Sequence, residues 1–154
     1  MYDVQDIIGW LLSHEDMSPK KLQKMLYYCY VWVLTLGNDD PSDLHTRLFT
    51  NRFEAWVHGP VLPDVYNQFK DHGYNAITIT DVQERQVTFQ RDVNDILKQV
   101  WEVYGGYNAN ELESLTHQEE PWIKAREGLS PLERTNNEIT DDSIYSYYIQ
   151  RVNG

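Results

Sequence analysis

SPKKLQKMLYYCYVWVLTLG, residues 18–37, decides the fold. Ser18 can accept hydrogen bonds from the free amides of a first helical turn, and Pro19 has no amide to leave unpaired there. Met17 and Leu22 flank that cap at the spacing of a hydrophobic staple, and Gly37 suits the end of a helix. Between the caps, Leu22, Met25, Leu26, Cys29, Val33 and Leu36 repeat at helical spacing. Tyr27, Tyr28, Tyr30, Val31, Trp32 and Leu34 fill most of the other faces. A helix that is apolar nearly all round is a central one, covered on several sides. The expectation is a mainly α chain, one compact helical domain over residues 1–154, wrapped around this helix. Only its start, with Lys20, Lys21, Gln23 and Lys24, reads as solvated. It is too short and too polar at that end to cross a bilayer.

Outward from this helix, Val4, Ile7, Ile8, Leu11 and Leu12 mark a helix over 2–14, with Trp10 off its stripe. The acidic loop NDDPSD follows Gly37. Leu44 to Val57 fits either a helix or a bent extended piece. HGPVLP then breaks regular structure, and Pro63 opens a helix with Val65, Tyr66 and Phe69 inward. Ala76–Thr80 and Gln86–Gln90 alternate, which predicts a small β-hairpin over about 76–90. Asp92 caps a helix carrying Val93, Ile96, Leu97, Val100, Trp101 and Tyr104. Asn108 and Glu111 form a capping-box pattern for a helix with Leu112 and Leu115. Pro121 starts another with Trp122 and Ile123 inward, and Thr140 caps the last, which bears Ile144, Tyr147, Tyr148 and Arg151.

The charge balance is 13 basic against 24 acidic residues, or −11, with 41% hydrophobic residues. Such a field repels phosphate backbones and speeds encounter with basic proteins. Nucleic acid is therefore not expected as a partner. The acidic pairs Asp39-Asp40, Glu119-Glu120 and Asp141-Asp142 are too scattered to imitate one. A single cysteine excludes an internal disulfide, and the first residues lack a secretory pattern, so a cytoplasmic location is expected.

Catalytic signatures are sparse. The five histidines share no metal-ligand spacing, and Cys29 lies mid-helix among apolar residues, where a thiol is inert filler. No phosphate loop, dinucleotide fingerprint or GxSxG elbow occurs. Neither metal nor cofactor is expected. Two constellations are more distinctive. EAWVHGPVLPDVY (54–66) reads as a structural corner with Trp56 and Tyr66 in the core and His58 bonded to backbone, or else as a site using Glu54 and His58. LTHQEEPWIKAREG (115–128) reads as a helix junction, or as a mixed-charge rim beside Trp122 suited to gripping a protein, where aromatic and Arg anchors dominate.

Taken together, LQKMLYYCYVW, FEAWVHGPVLPDVYNQF, LTHQEEPWIKAREG and IYSYYI resemble the Panacea domain, the family of SocA-like and phage-associated GepA-like proteins. The four motifs stand in the family's order and cover the chain from the first helix to Tyr148. Where the family often has a small Ala-Gln-Gly run, this chain has Cys29-Tyr30-Val31. The resemblance implies a mainly helical, non-enzymatic antitoxin of a bacterial or prophage toxin–antitoxin pair, binding a protein toxin encoded by an adjacent gene. A protease adaptor delivering a toxin or host factor for degradation is the alternative. A hydrolase pairing His58 or His117 with Glu54 or Glu120 stands third. The expected contacts are the aromatic and charged residues of the motifs: Trp56, His58, Tyr66, His117, Glu120, Trp122 and Arg126.

Overall fold

The computed structural model describes residues 1–153. Seven α-helices and one two-stranded hairpin follow one another: α1 (Val4–Leu12), α2 (Pro19–Leu36), β1 (Glu54–Trp56), β2 (Gly59–Val61), α3 (Pro63–Phe69), α4 (Arg91–Tyr104), α5 (Ala109–His117), α6 (Glu120–Ala125) and α7 (Asp141–Asn153). The mainly helical expectation holds, and α2 is the axis. It touches α1, α3, α4, α5, α7 and β2, and every residue from Lys21 to Val31 is buried. Its N-terminus is capped as expected, Ser18 Oγ accepting from the amide of Lys21. Asn108 and Glu111 form the reciprocal capping box at α5, and Thr140 Oγ1 accepts from the Ser143 amide at α7.

Both ends of α2 depart from the expectation. Its polar start is buried because distant loops come to it. Lys21 Nζ donates to the Gly105 carbonyl at 2.7 Å and pairs with Glu15. The Gln23 amide grips Leu62 through both of that residue's backbone groups, at 2.8 and 3.0 Å. Lys24 Nζ donates to the Pro60 carbonyl at 3.0 Å. At the C-terminal end Val33 and Leu34 are buried, while Leu36 is 44% exposed and Trp32 half-buried.

The departure in the central helix is absorbed by packing. Cys29, Tyr30 and Val31 are all buried. The Tyr30 hydroxyl donates to Asp141 Oδ1 at 2.7 Å, while Arg47 and Arg52 close on Oδ2 at 2.7 and 2.9 Å. Burial pushes the Asp141 carboxyl up, but Arg52, Tyr30 and Arg47 outweigh it and hold it below the ordinary carboxylate value.

The hairpin lies at 54–61, not at 76–90. Glu54, Ala55 and Trp56 pair antiparallel with Val61, Pro60 and Gly59 across a two-residue turn of Val57 and His58. Pro60, which argued against a strand, needs no amide here: Ala55 opposite turns its own N–H to Asn137 O at 2.8 Å. Gly59 sits at φ 107°, and an added Cβ would fall 2.8 Å from Lys24 Cε and 2.9 Å from Thr116 Oγ1. Leu44 to Phe53 forms no helix and runs as irregular chain with bends at Leu48 and Thr50.

Residues 76–90 find other partners. Ile77 exchanges backbone hydrogen bonds with Met17, and Thr78 and Asp81 form a capping box that folds Ile79–Asp81 into a 3₁₀ turn. Arg85 pairs with Asp3, the N-cap of α1, and with Asp6 within it, and Phe89 packs on Tyr2. Of the apolar residues expected to face inward from the two runs, Ile77 is buried beside Met17 and Phe89 packs on Tyr2, whereas Ile79 is 46% exposed, so the runs do not cover one another. Tyr66 and Ile123, expected inside, are exposed. Among the described residues no helix is long and apolar enough to cross a membrane.

Candidate functional site

The hairpin docks at one end of the molecule between the start of α2, α3 and the α5–α6 junction, and this brings the distant motifs together. Trp56 meets Tyr66 edge-on, with ring centroids 5.0 Å apart, and its indole donates to Glu54 Oε1 at 2.9 Å. Trp122 donates its indole N–H to the Trp56 carbonyl at 2.8 Å. The His117 ring stacks on Trp122 at 4.0 Å and 14°, and the Arg126 guanidinium lies over the same indole at 5.3 Å. Five of the expected residues, Tyr66, Trp56, Trp122, His117 and Arg126, thus form a continuous chain of contacts with the hairpin at its centre; His58 and Glu120 stand outside it. Glu120 borders a shallow depression with Ile123, Lys124, Arg126 and Glu127 on the outer side of α6.

Their exposure divides them. His58 and Tyr66 face solvent, as does Glu120; Trp56, His117 and Trp122 are half-buried. Arg126 is buried against the protein's own backbone. Its Nη1 donates to the Ala55 carbonyl at 2.8 Å, and its Nη2 to Glu133 and Ser130 carbonyls at 2.6 and 3.3 Å. A rigid planar fork suits three carbonyls fixed on β1 and on the 130–133 turn. Arg126 therefore holds the face rather than presenting itself on it.

The histidine–carboxylate pairing differs from the sequence reading. His58 Nδ1 lies 3.3 Å from Glu113 Oε2, and Lys20 pairs with Glu113 Oε1. Glu54 is occupied by the Trp56 indole. Burial pushes the Glu113 carboxyl up, but Lys20 and His58 outweigh it and hold it below its ordinary value. His117 is pushed down chiefly by burial, and its Nε2 is enclosed with no hydrogen-bond partner. Burial also pushes the Cys29 thiol up, keeping it protonated and unreactive. Among the described residues no three His, Cys, Asp or Glu side chains gather as a metal site.

Lys24 is the unexpected member of this end. It is 1% exposed, and burial lowers its amine from 10.5 to about 7, against a smaller opposing pull from Glu113. The unfolded chain keeps this amine protonated up to about pH 10.5, whereas the fold releases the proton near 7. Stability from this group therefore rises with pH between those values, by up to about 1.4 kcal/mol per pH unit, and the full cost is borne below pH 7. Lys24→Met is expected to flatten this slope. Below pH 7 the variant should exceed the wild type by roughly 2–4 kcal/mol, the relief being reduced by the Pro60 carbonyl left without its donor. Urea midpoints measured from pH 6 to pH 10 check this, and parallel profiles would refute it.

A second polar assembly was not singled out by the sequence reading. Glu119 is buried where α6 begins, and its Oε1 accepts from the hydroxyls of Tyr28 and Tyr148 at 2.7 and 2.8 Å. Arg151 Nη1 reaches Oε2 at 3.1 Å. Tyr104 stacks on Tyr28 at 3.9 Å and accepts from the Trp32 indole at 3.0 Å. Burial raises the Glu119 carboxyl above its ordinary value despite these donors. A signal did exist: tyrosines on an otherwise apolar helix bring hydroxyls that need buried acceptors.

The family model for the SocA-like antitoxin, Panacea domain matches residues 22–123, from α2 into α6. No curated protein matches the chain, and no solved structure does.

Proposed function

This chain belongs to the SocA-like antitoxin family with the Panacea domain, and from that premise we propose that it neutralises a protein toxin by binding it directly, without chemistry of its own. The observation that carries the reading is the convergence of the 54–66 and 115–128 motifs into one pinned face. Trp122 is hydrogen-bonded to the strand that carries Trp56, and Tyr66 and His117 lie against those two indoles. Aromatic side chains already held in place lose little freedom on binding, which is how a small patch attains affinity. The chain's charge of −11 favours encounter with a basic partner. We take the whole of 1–154 as the binding unit, with the toxin encoded in the adjacent gene.

Co-expression with that gene's product tests this: growth should be restored and the two proteins should co-purify. Tyr66→Ala, which removes a ring already 45% exposed, is expected to weaken the complex by about tenfold, roughly 1.4 kcal/mol, without lowering the melting temperature. Absence of both rescue and co-purification with the wild type would end the antitoxin reading. A toxin half-life shortened by the protein would instead favour delivery to a protease.

A further inference from the structure

Asn137 to Ile139 run beside β1 on the side away from β2. The Ala55 N–H donates to the Asn137 carbonyl and the Ile139 N–H to the Phe53 carbonyl, both at 2.8 Å. Between these two bonds Glu54 and Glu138 stand directly opposite each other. This is the close, non-hydrogen-bonded kind of antiparallel pair, with Cα atoms about 4.5 Å apart and both side chains on one face. Like charges so placed destabilise the pairing. Among the described residues neither carboxylate has an ion-pair partner to offset this. Arg52, two positions before Glu54, feels Glu138 but gives its guanidinium to Asp141. His58 is taken by Glu113, and Arg134 pairs with neither carboxylate.

The same face carries two rings without a cation. Glu54 Oε1 accepts from the Trp56 indole, and Tyr66 meets that indole edge-on. Opposite Trp56 on β2 stands Gly59, which has no side chain to cover the ring. Tyr66 and Glu138 are exposed, and Glu54 and Trp56 are half-buried. Elsewhere Lys21, Arg126 and Arg151 lie over Trp101, Trp122 and Tyr147, whereas among the described residues no cation lies over Trp56 or Tyr66. A local pairing rule broken with no compensation inside the fold points to a role outside it.

We propose that Glu138, Glu54, Trp56 and Tyr66 form a notch that takes an arginine side chain of the partner toxin. A guanidinium suits it better than an ammonium. It presents several N–H donors in one plane to the two carboxylates, and the flat of that plane stacks on a ring. The inference rests on the antitoxin reading for whose arginine this is, and it gives the aromatic face of that reading a charge preference.

Two arms test it on the full chain. The first measures binding of the adjacent gene's product by the wild type, Glu138→Gln and Glu54→Gln, the last of which keeps an oxygen for the Trp56 indole. Each change should weaken the complex by about tenfold, while the melting temperature holds or rises because the carboxylate repulsion is gone. With Tyr66→Ala added, the loss should be smaller than the product of the separate losses, since both groups touch one cation. Both glutamine variants binding within about threefold of a wild type that neutralises the toxin would overturn the notch and leave the antitoxin reading standing. A binding loss that follows a fall in melting temperature would mark the pair as structural and overturn it too. In the second arm, an acetylated and amidated Gly-Arg-Gly peptide and its uncharged citrulline counterpart are titrated while the Trp56 indole N–H resonance is followed. A saturating shift with the arginine peptide alone, lost in Glu138→Gln, supports the notch; equal shifts with both peptides, or none, overturn it. Arginine-specific binding by a wild type that ignores the gene product would defeat the antitoxin reading and keep the notch. A concentration-dependent dimer dispersed by Glu138→Gln would give the notch to an arginine of a second copy and overturn its assignment to a toxin.

Discussion

Glu119→Ala is expected to lower the unfolding free energy by about 3–5 kcal/mol, a large share of what holds a domain of this size. The loss does not come from one ion pair. Tyr28 and Tyr148 are fully buried, and both aim their hydroxyls at the same carboxylate oxygen. Without it, two enclosed donors have no acceptor, and each such group costs about 1–3 kcal/mol. Arg151, half open to water, loses its partner at smaller cost. Glu119→Gln keeps the shape and one carbonyl oxygen, so its expected loss is about 1–2 kcal/mol. The pH dependence distinguishes the two forms. The Glu119 carboxyl titrates above 4.5 in the fold, so its contribution is complete below 4.5 and declines as pH rises through the raised value. Glutamine has no such decline, and the deficit of Glu119→Gln should shrink from acid to neutral pH. Denaturant titrations at several pH values measure both; a Glu119→Ala variant within 1 kcal/mol of the wild type, by the scale of ordinary surface changes, would show that the network contributes little.

Arg126→Ala should cost about 3 kcal/mol, or roughly a 10 °C fall in melting temperature for a chain of this length. Ala55 is wholly buried, and its carbonyl would lose the Nη1 donor. The Ser130 and Glu133 carbonyls, in exposed residues, can turn to water, so they add less. The indole of Trp122 would also lose its cation. Arg126→Lys is expected to restore under half of the stability, since one ammonium cannot span three carbonyls. Because the guanidinium ties β1 to the 130–133 turn and to α6, toxin binding should fall with stability in both variants. Calorimetry alongside the binding measurement checks this; full stability with lost binding would move Arg126 from the support of the face to its surface.

What was legible in the residues had local causes. The caps at Ser18, Asn108 and Thr140 are made within one helical turn, and so are their bonds. The motifs of residues 54–66 and 115–128 stand out one by one, but that Trp122 bonds to Trp56 O across 66 positions is a contact only the fold supplies. What escaped was partner choice. Alternation at 76–90 predicts paired strands, yet Ile79–Asp81 turns as a 3₁₀ helix, Ile77 pairs with Met17 and Arg85 with α1, contacts no window of neighbouring residues contains. The sequence leaves His58 bonded to backbone or paired with Glu54, and the fold sets it beside Glu113 instead.

Residues 18–37 by themselves determined that a helix forms there, where it begins and ends, and that most of its sides are covered, because caps and apolar content act within a few residues. That its polar start is covered was a tertiary decision. An ammonium or amide can be buried only where carbonyls wait for it, and those of Gly105, Pro60 and Leu62 arrive from 36 or more positions away. Their arrival enclosed Lys21, Gln23 and Lys24, while Leu36 at the other end faces solvent.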